Sequence, residues 1–338
     1  MTLRVGLAGY GLAGRTFHAP LFRGCGLELV VVLTTNPERI AHVQSDLPDA
    51  IVVSEMSELL AHNLDLVVIA SVNSVHAEQA IAALQAGVPT VVDKPMGRNL
   101  AETLEILKAS GETGVPVTAF YNRLFDSDSL TIKRVIQDNE IGKVFRIDSR
   151  FERYRPDLAA QSWREQSSAE DGGGLLLDLQ SHLVSTALDW FGPAELISAS
   201  VRSIRGASDD DVVLVLKHDS GVDSYLSTSS IVGAPGPRIR MLGSNGALVI
   251  GELDPQEALL RAGKVPHDGK WDVSTKSEAR IMRGDVASEL KVEDGNYARF
   301  YELVAGAIAG KNEWPVSKDE IIAVAKIIDK ARELNFRE

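Results

Sequence analysis

Residues 3–18 read LRVGLAGYGLAGRTFH, a short apolar run followed by three closely spaced glycines and then by a helical pattern. The glycines, Gly9, Gly11 and Gly14, have the G-x-G-x-x-G spacing of a dinucleotide-binding loop. In such a loop they allow a tight turn, a close approach of pyrophosphate to the backbone, and close packing of the helix on the strand. The free N–H groups at the start of the helix bind the phosphates. The stretch therefore predicts a cofactor-binding Rossmann domain, with a glycine turn in another doubly wound fold as the alternative.

The hundred residues that follow alternate short aliphatic runs with helical patterns. Six strands are predicted, at residues 3–9, 27–35, 50–54, 64–71, 90–94 and 116–122. Their nearly continuous apolar character is typical of parallel strands that helices cover on both faces. We therefore predict an α/β fold that starts with a doubly wound parallel sheet, in a dinucleotide-binding domain at residues 1–122.

The pattern changes after residue 122. A linking helix and an alternating strand precede an apolar helix at residues 172–192, and longer strands with HDSG and GSNG turns between them follow it. Because 338 residues favour two domains, we predict a second, α+β domain at residues 123–338 with an open, mostly antiparallel sheet. Two helices close the chain, and the last one is a candidate to pack back on the first domain.

The composition is that of a globular protein, with 44% hydrophobic and 24% charged residues. The chain has 35 basic and 47 acidic side chains and a formal charge of -12, which argues against nucleic acid or an anionic membrane surface as a partner. No apolar run approaches the roughly 20 residues of a membrane helix. The single cysteine, Cys25, and a start without a charged-then-apolar leader predict a reducing, cytoplasmic location.

The end of the second strand bears on the choice of cofactor. An NAD site usually has a carboxylate about 20 residues after the glycines, bound to the ribose 2′-hydroxyl. Here residues 33–39 read LTTNPER, while Glu28 lies at the wrong end of the strand and Glu38 follows the turn. Hydroxyl, amide and guanidinium groups suit a 2′-phosphate better, so the sequence favours NADP(H) over NAD(H). The proposed contacts are Thr34, Thr35, Asn36 and Arg39.

A lysine ends the fifth predicted strand. Residues 91–97 read VVDKPMG, which places Lys94 at the carboxyl end of a parallel strand, where open α/β sheets bind ligands. Pro95 restricts the backbone of Lys94 to extended conformations. Taken alone, the motif fits an ordinary strand-end lysine as well as a functional one.

The apolar helix at residues 172–192 carries two ionisable groups. Its sequence is GGGLLLDLQSHLVSTALDWFG, in which Asp178 and His182 lie one helical turn apart and share a face. A hydrogen-bonded core histidine with a local structural partner is the alternative. Burying both groups is costly without compensation. A substrate with several hydroxyls would compensate, and an imidazole readily accepts a hydroxyl proton.

These signals together define a reaction. Oxidation of a secondary alcohol needs a hydride acceptor, a base for the hydroxyl proton and a cation beside the developing alkoxide. NADP, His182 and Lys94 fill these places, and Asp178 orients the substrate or the imidazole. No metal is required, and the sequence has no paired histidines or clustered cysteines with ligand spacing. A serine hydrolase is unsupported because no G-x-S-x-G motif is present.

The chain resembles the Gfo/Idh/MocA family, the glucose–fructose oxidoreductases and inositol dehydrogenases, over nearly its whole length. The resemblance rests on GLAGYGLAGRTFH, ASVNSVHAEQAIAALQAG, VVDKP, YNRLFDSD, RYRP…SWRE and DGGGLLLDLQSHL. It implies a Rossmann domain, then an α/β domain whose open sheet packs against a neighbouring subunit, giving a homodimer or homotetramer. It also implies a Lys–Asp–His catalytic set at Lys94, Asp178 and His182. The first and fifth stretches resemble the NADP-linked scyllo-inositol dehydrogenase branch.

The resemblance further implies contacts for single residues. Cofactor contacts fall on Leu12, Ala13, Ser71, Asn73, His76, Asp93, Lys94, Trp163 and Arg164, in addition to the three glycines. Substrate contacts fall on Lys94, Arg123, Asp126, Tyr154, Asp178 and His182. Two positions depart from the family pattern, because Asp93 replaces its usual glutamate and Gln180 replaces a glycine. Gln180 adds bulk to the helix that carries Asp178 and His182, which bears on the identity of the substrate.

The sequence thus predicts an NADP-dependent dehydrogenase or reductase that acts on CH–OH groups of a cyclic polyol or sugar. Inositols come first and ketosugars such as anhydrofructose second. A glycosidase that uses tightly held NAD for transient oxidation is the alternative within the family. A non-catalytic nucleotide sensor is the least favoured hypothesis. Loss of Lys94 or His182 would be expected in a sensor, and both are present.

Overall fold

The computed structural model describes residues 2–158, 168, 172–206, 208–267, 271 and 279–335. The chain forms two compact units, each made of several segments. The first comprises Met1–Asn122, Pro255–Asp272 and Asn296–Ile321, and the second comprises Arg123–Asp254, Val273–Gly295 and Ile322–Glu338. No helix among the described residues is long and apolar enough to cross a membrane.

The first unit contains a six-stranded sheet in which every neighbouring pair is parallel. Its strands are β1 (Arg4–Ala8), β2 (Glu28–Leu33), β3 (Ile51–Val53), β4 (Leu66–Ile69), β5 (Thr90–Asp93) and β6 (Val117–Phe120). The order β3-β2-β1-β4-β5-β6 confirms the predicted doubly wound sheet. The strand order reverses between β1 and β4, which is where such sheets bind ligands beyond the carboxyl ends of the strands.

Ten α-helices are described across the two units. They are α1 (Ala19–Gly24), α2 (Pro37–Asp46), α3 (Met56–Leu60), α4 (His76–Gln85), α5 (Leu100–Thr113), α6 (Ser127–Gln137), α7 (Ser181–Phe191), α8 (Gln256–Arg261), α9 (Ala298–Ile308) and α10 (Lys318–Asn335). Two π-helical segments, Ala13–His18 and Leu176–Gln180, lead directly into α1 and α7. Segments of this kind are rare and occur frequently at functional sites.

Aromatic packing explains why part of the C-terminal half belongs to the first unit. Phe300 of α9 meets Phe120 of β6 with ring centroids 4.9 Å apart, and Tyr301 meets Phe22 of α1 at 4.8 Å. Large aromatic side chains contribute strongly to core packing. The predicted second domain at residues 123–338 therefore differs from the second unit, because Pro255–Asp272 and Asn296–Ile321 pack within the first.

The second unit contains an eight-stranded sheet. Its strands are β7 (Val144–Glu152), β8 (Ala194–Arg202), β9 (Asp211–His218), β10 (Asp223–Ser229), β11 (Ile239–Gly243), β12 (Gly246–Ile250), β13 (Ala279–Arg283) and β14 (Val286–Leu290). The order is β14-β13-β12-β11-β7-β10-β9-β8, and only the pair of β7 and β10 is parallel. The predicted open, mostly antiparallel sheet is confirmed.

The two faces of this sheet differ in composition. One face is buried against α6 and α7, where Ile147, Met241 and Trp190 belong to a common apolar core. The indole N–H of Trp190 donates to Ser129 Oγ at 3.0 Å, so its one polar atom is satisfied. The opposite face carries the guanidinium of Arg146 stacked over the ring of Tyr225, 4.3 Å from its centroid.

Candidate active site

The glycine loop of the first unit is shaped for a close approach by a ligand. Gly9 has φ +98°, and a Cβ added there would lie 2.6 Å from the carbonyl oxygen of Ala70. A Cβ on Gly14 would overlap the carbonyl oxygen of Gly9. Both positions therefore exclude any side chain, for the reasons that a dinucleotide loop requires glycine. Leu12 and Ala13 follow at the start of the helix, and the Leu12 side chain is about half exposed.

Arg39 lies beside this loop. Its guanidinium is 3.5 Å from the position that a Cβ on Gly11 would occupy, and the residue is exposed. Thr34 is buried at the end of β2, whereas Thr35 is exposed. The side chain of Asn36 accepts the Arg39 backbone N–H at 3.1 Å, so it caps α2. The arrangement leaves a cation next to the loop.

Asp46 fixes the loop from the far end of α2. Its carboxylate accepts the Arg15 Nε–H at 2.7 Å and the Tyr10 hydroxyl at 3.3 Å. Burial and the nearby Asp46 charge raise the pKa of Tyr10 well above its usual value, so its hydroxyl keeps its proton. The sequence analysis missed Asp46 because the contact joins residues 31 positions apart.

Lys94 directly follows β5 and is half-buried. Its backbone N–H donates to Asp93 Oδ1 at 2.8 Å, and the Lys94–Pro95 peptide bond is cis. His76, the first residue of α4, has Nδ1 2.9 Å from the Pro95 carbonyl oxygen and Nε2 3.3 Å from that of Ser71. Burial lowers the pKa of His76, so the imidazole is neutral at physiological pH.

These contacts place the predicted residues after β4 next to those after β5. Ser71 Oγ donates to Gln79 Oε1 at 2.7 Å, and Asn73 is buried in the short turn before α4. Each ring nitrogen of His76 faces a backbone carbonyl oxygen, and because the neutral ring has one N–H, it donates to only one of them. Its predicted contact with the cofactor stays a prediction. The same holds for Asn73 and Asp93.

In the second unit, Asp178 and His182 lie on the buried helix, as the sequence indicated. The helix is not uniform, because Leu176–Gln180 is π-helical and α7 begins at Ser181. Asp178 is half-buried and His182 is only 5% exposed. Residues four apart are about one turn apart in either geometry, so both groups lie on one face of the helix.

An acidic residue that the sequence analysis missed holds the start of this helix. Gly174 has φ +89°, and a Cβ there would overlap the carboxylate of Asp209. Asp209 Oδ1 accepts the Leu176 N–H at 2.7 Å, and its backbone carbonyl accepts the Leu175 N–H at 3.0 Å. Burial raises the pKa of Asp209 to about 6. The absence of a side chain at Gly174 therefore lets the Asp209 carboxylate approach the start of the helix.

Replacing Asp209 by asparagine is expected to make stability less dependent on pH. The folded pKa of about 6 exceeds the ordinary value of 3.8, so the native protein loses up to about 3 kcal/mol as the pH rises from about 4 to above 6. The amide oxygen of the introduced asparagine still accepts the Leu176 N–H. Melting curves at pH 4.5, 6 and 8 should show the variant gaining relative to native protein at pH 8, and the gain shrinking at low pH.

The matched control is Asp285→Asn, at an exposed turn carboxylate, which should show no such trend. An Asp209→Asn variant that is destabilised equally at all three values would contradict the assigned cost of the charge.

Gln180 faces the sheet. It is fully buried, and its Nε2 donates to the carbonyl oxygens of Val212 and Leu226 at 3.1 Å each. Its amide therefore links β9 to β10. The Gln180 side chain, which stands where the family has a glycine, therefore packs against these strands.

The remaining predicted substrate residues differ in how far their side chains are exposed to solvent. Arg123 Nη1 is 3.4 Å from Asp126 Oδ2, and Asp126 is fully buried. The Arg123 guanidinium also lies 5.5 Å from the centroid of Phe151. Tyr154 is 63% exposed and forms an isolated bridge with Ile231. Trp163 and Arg164 lie outside the described residues.

Within the described part of the chain, no group of three or more His, Cys, Asp or Glu side chains could hold a metal ion.

Family models match most of the chain. Residues 3–121 match an oxidoreductase family with an NAD-binding Rossmann fold, and residues 129–249 match the GFO/IDH/MocA C-terminal domain. The chain belongs to the Gfo/Idh/MocA family. It is thus an NAD(P)-binding oxidoreductase, which confirms the predicted family. The carboxyl ends of β1 and β4, with the glycine loop that excludes side chains, fit the dinucleotide that this fold binds.

Several known proteins are similar to this chain over nearly its full length. A scyllo-inositol 2-dehydrogenase (NADP(+)) of Bacillus subtilis is 32% identical over 98% of this chain and 93% of its own. An uncharacterised oxidoreductase of Escherichia coli is 34% identical over 97% and 94%. Among solved structures, an oxidoreductase of Yersinia pestis superposes with a TM-score of 0.90, at 33% identity over 99% of this chain and 95% of the other.

Proposed function

We propose that the protein transfers a hydride between NADP(H) and a secondary alcohol or ketone of a cyclic polyol or sugar, with scyllo-inositol as the first candidate. The observation that carries this proposal is the pair of Asp178 and His182, one turn apart on a buried helix, in a chain that also has Lys94 at the carboxyl end of β5. The full-length similarity to a scyllo-inositol 2-dehydrogenase supports it.

Each residue has a distinct role in the proposed reaction. The His182 imidazole takes the proton of the substrate hydroxyl during oxidation and returns it during reduction. The Lys94 ammonium donates a hydrogen bond to the same oxygen and stabilises its developing negative charge. Asp178 orients the substrate or the imidazole. Bound NADP supplies the hydride acceptor, and the glycine loop holds its pyrophosphate.

The preference for NADP rests on Arg39. Arg39 lies in the first turn of α2, the helix that follows β2, and its guanidinium is beside the glycine loop. A ribose 2′-phosphate is expected there, and Thr35 and Asn36 lie nearby in sequence. We expect Arg39→Ala to raise the Kd of NADPH about 10- to 100-fold, the effect of losing one charge-assisted hydrogen bond, with little change for NADH. Fluorescence titration with both cofactors measures this.

Arg23→Ala serves as the control, because Arg23 is an exposed arginine on α1 of the same unit. Equal losses for NADPH and NADH in the Arg39 variant would show that Arg39 supports the loop in general and does not read the 2′-phosphate.

A substrate screen tests the reaction class. Inositol isomers and aldoses are assayed in parallel with NAD and NADP, read at 340 nm. We expect turnover of at least one inositol with NADP. Turnover of aryl glycosides with retained cofactor would instead favour the glycosidase, and NADPH binding without turnover of any compound would favour a sensor.

Ketosugar reduction is the second candidate. The 1,5-anhydro-D-fructose reductase of Ensifer adhaerens is 25% identical over 73% of this chain and 75% of its own. The same side chains serve this reaction in the reverse direction, with His182 donating the proton. Including anhydrofructose with NADPH in the screen distinguishes the two.

We further propose a homodimer or homotetramer, formed through the sheet face that carries Arg146 and Tyr225. That face presents the stacked pair of side chains and the partly exposed β10 to a second copy. A mass of one chain by light scattering would contradict this assembly.

A further inference from the structure

A buried polar cluster lies next to Lys94, within the first unit. We call His18, Asp93 and Tyr301 the His18 cluster. His18 Nδ1 is 2.6 Å from the Tyr301 hydroxyl, and His18 Nε2 is 3.8 Å from Asp93 Oδ2. The His18 side chain is wholly buried, and so is the Tyr301 side chain. Three elements meet here, since His18 ends the helix of the glycine loop, Asp93 ends β5, and Tyr301 belongs to α9.

The protons of this cluster can be placed from its chemistry. Burial, then the nearby charge of Asp93, raises the pKa of Tyr301 well above its usual value, so the phenol keeps its proton. The phenol donates to His18 Nδ1, which leaves the ring proton on Nε2, facing Asp93. The other oxygen of Asp93 accepts the Lys94 backbone N–H at 2.8 Å. The chain of contacts thus runs from Tyr301 to the backbone of Lys94.

A second histidine holds the other side of Lys94. The His76 ring contacts the carbonyl oxygen of Pro95 through Nδ1 at 2.9 Å. Asp93 therefore holds the peptide before the Lys94 side chain, and His76 holds the residue after it. Apolar residues could fill the space of the His18 cluster at lower cost, because buried ionisable groups are expensive to desolvate. A polar cluster retained in an aromatic core, between Phe22 and Phe120, calls for a functional reason.

We propose that His18 and Tyr301 are positioning residues for Lys94, acting through Asp93 to hold its loop and its ammonium in the orientation that catalysis needs. This inference rests on the proposed role of Lys94. The titratable groups that face Asp93 are His18, His76 and Lys94. Burial pushes the pKa of Asp93 upward, but the contact with His18 and the charge of Lys94 outweigh it, so the pKa lies below its usual value and the carboxyl is charged at neutral pH.

His18→Phe and Tyr301→Phe test the proposal with the full-length protein. With NADP and scyllo-inositol, or the best substrate of the screen, we expect kcat to fall at least about tenfold for His18→Phe, with little change in NADPH binding, because small misplacements of catalytic groups are costly. The acid limb of kcat/KM should move to higher pH, because the pKa of Asp93 rises when it loses its partner. Tyr301→Phe removes one oxygen. It should also lower kcat and move the acid limb of kcat/KM to higher pH.

A second readout needs neither substrate nor cofactor. Competitive acetylation of the apo-protein, followed by mass spectrometry of the Lys94 peptide, reports how firmly the ammonium is held. We expect faster labelling of Lys94 in both variants and unchanged labelling of Lys108, an exposed lysine on α5. If His18→Phe does not fold, Tyr301→Phe carries the test.

Phe22→Leu is the matched control, because Phe22 packs on His18 and Tyr301 without a polar contact. It should lower the melting temperature while leaving the pH profile and Lys94 labelling unchanged. Unchanged profiles and labelling in the His18 and Tyr301 variants, beside an inactive Lys94→Ala, would overturn this inference alone. An active Lys94→Ala would instead overturn the proposed function.

Discussion

His182→Ala is expected to lower kcat at least about 10²-fold, because a positioned acid–base group contributes that much or more. The substrate hydroxyl would then have no side chain to take its proton, while the glycine loop, in the other unit, is untouched. NADPH affinity should therefore stay within about twofold of the native value. Steady-state kinetics and fluorescence titration measure the two effects separately.

The control for this variant is a second buried histidine of the same unit. His218 on β9 has Nδ1 2.8 Å from the Gly192 carbonyl oxygen and Nε2 2.9 Å from Ser224 Oγ, so both ring nitrogens have structural partners. We expect His218→Gln to lower the melting temperature and leave kcat nearly unchanged. Full activity of His182→Ala would refute its assignment as the acid–base group.

Gly9→Ala is expected to raise the Kd of NADPH at least about 10²-fold. The left-handed backbone at Gly9 costs an L-residue about 1–2 kcal/mol, and the added Cβ would lie 2.6 Å from the Ala70 carbonyl oxygen. The loop must shift to relieve this contact, and the shift moves the N–H groups that bind pyrophosphate. Fluorescence titration with NADPH measures the loss, which at about 3 kcal/mol corresponds to the expected change.

Gly111→Ala provides the matched glycine substitution. Gly111 lies in α5 with nothing within 4 Å of its Cβ position, so alanine there should stabilise the protein by about 0.5–1 kcal/mol. NADPH binding should be unaffected. A Gly9→Ala protein that binds NADPH like the native one would contradict the assignment of residues 9–14 as the pyrophosphate loop.

Local sequence patterns were sufficient to predict the first sheet. Six nearly continuous apolar runs and one glycine spacing identify parallel strands and their ligand-binding edge, because both features depend on neighbours in sequence. The mostly antiparallel second sheet followed from alternation and turn residues in the same way. The Lys–Asp–His set was inferred from its residues and is also implied by the family resemblance, and its roles remain predictions.

Features that depend on distant contacts were not predictable. Nothing in the pattern of α9 indicates that Phe300 would pack on Phe120 in the first unit. Asp209 lies in an acidic run, SDDD, that reads as a solvated turn, yet its carboxylate caps a helix 33 residues earlier in the chain. The π-helical segments were also invisible, because hydrophobic periodicity does not distinguish a single wide turn from an α-helix.

A crystal structure of the ternary complex with NADPH and scyllo-inositol tests the central claim most directly. The account predicts His182 Nε2 and Lys94 Nζ within about 3 Å of one substrate oxygen, on the carbon that faces the nicotinamide ring. A complex in which the imidazole contacts only aliphatic side chains, or in which the reacting oxygen is bound by other residues, would contradict it.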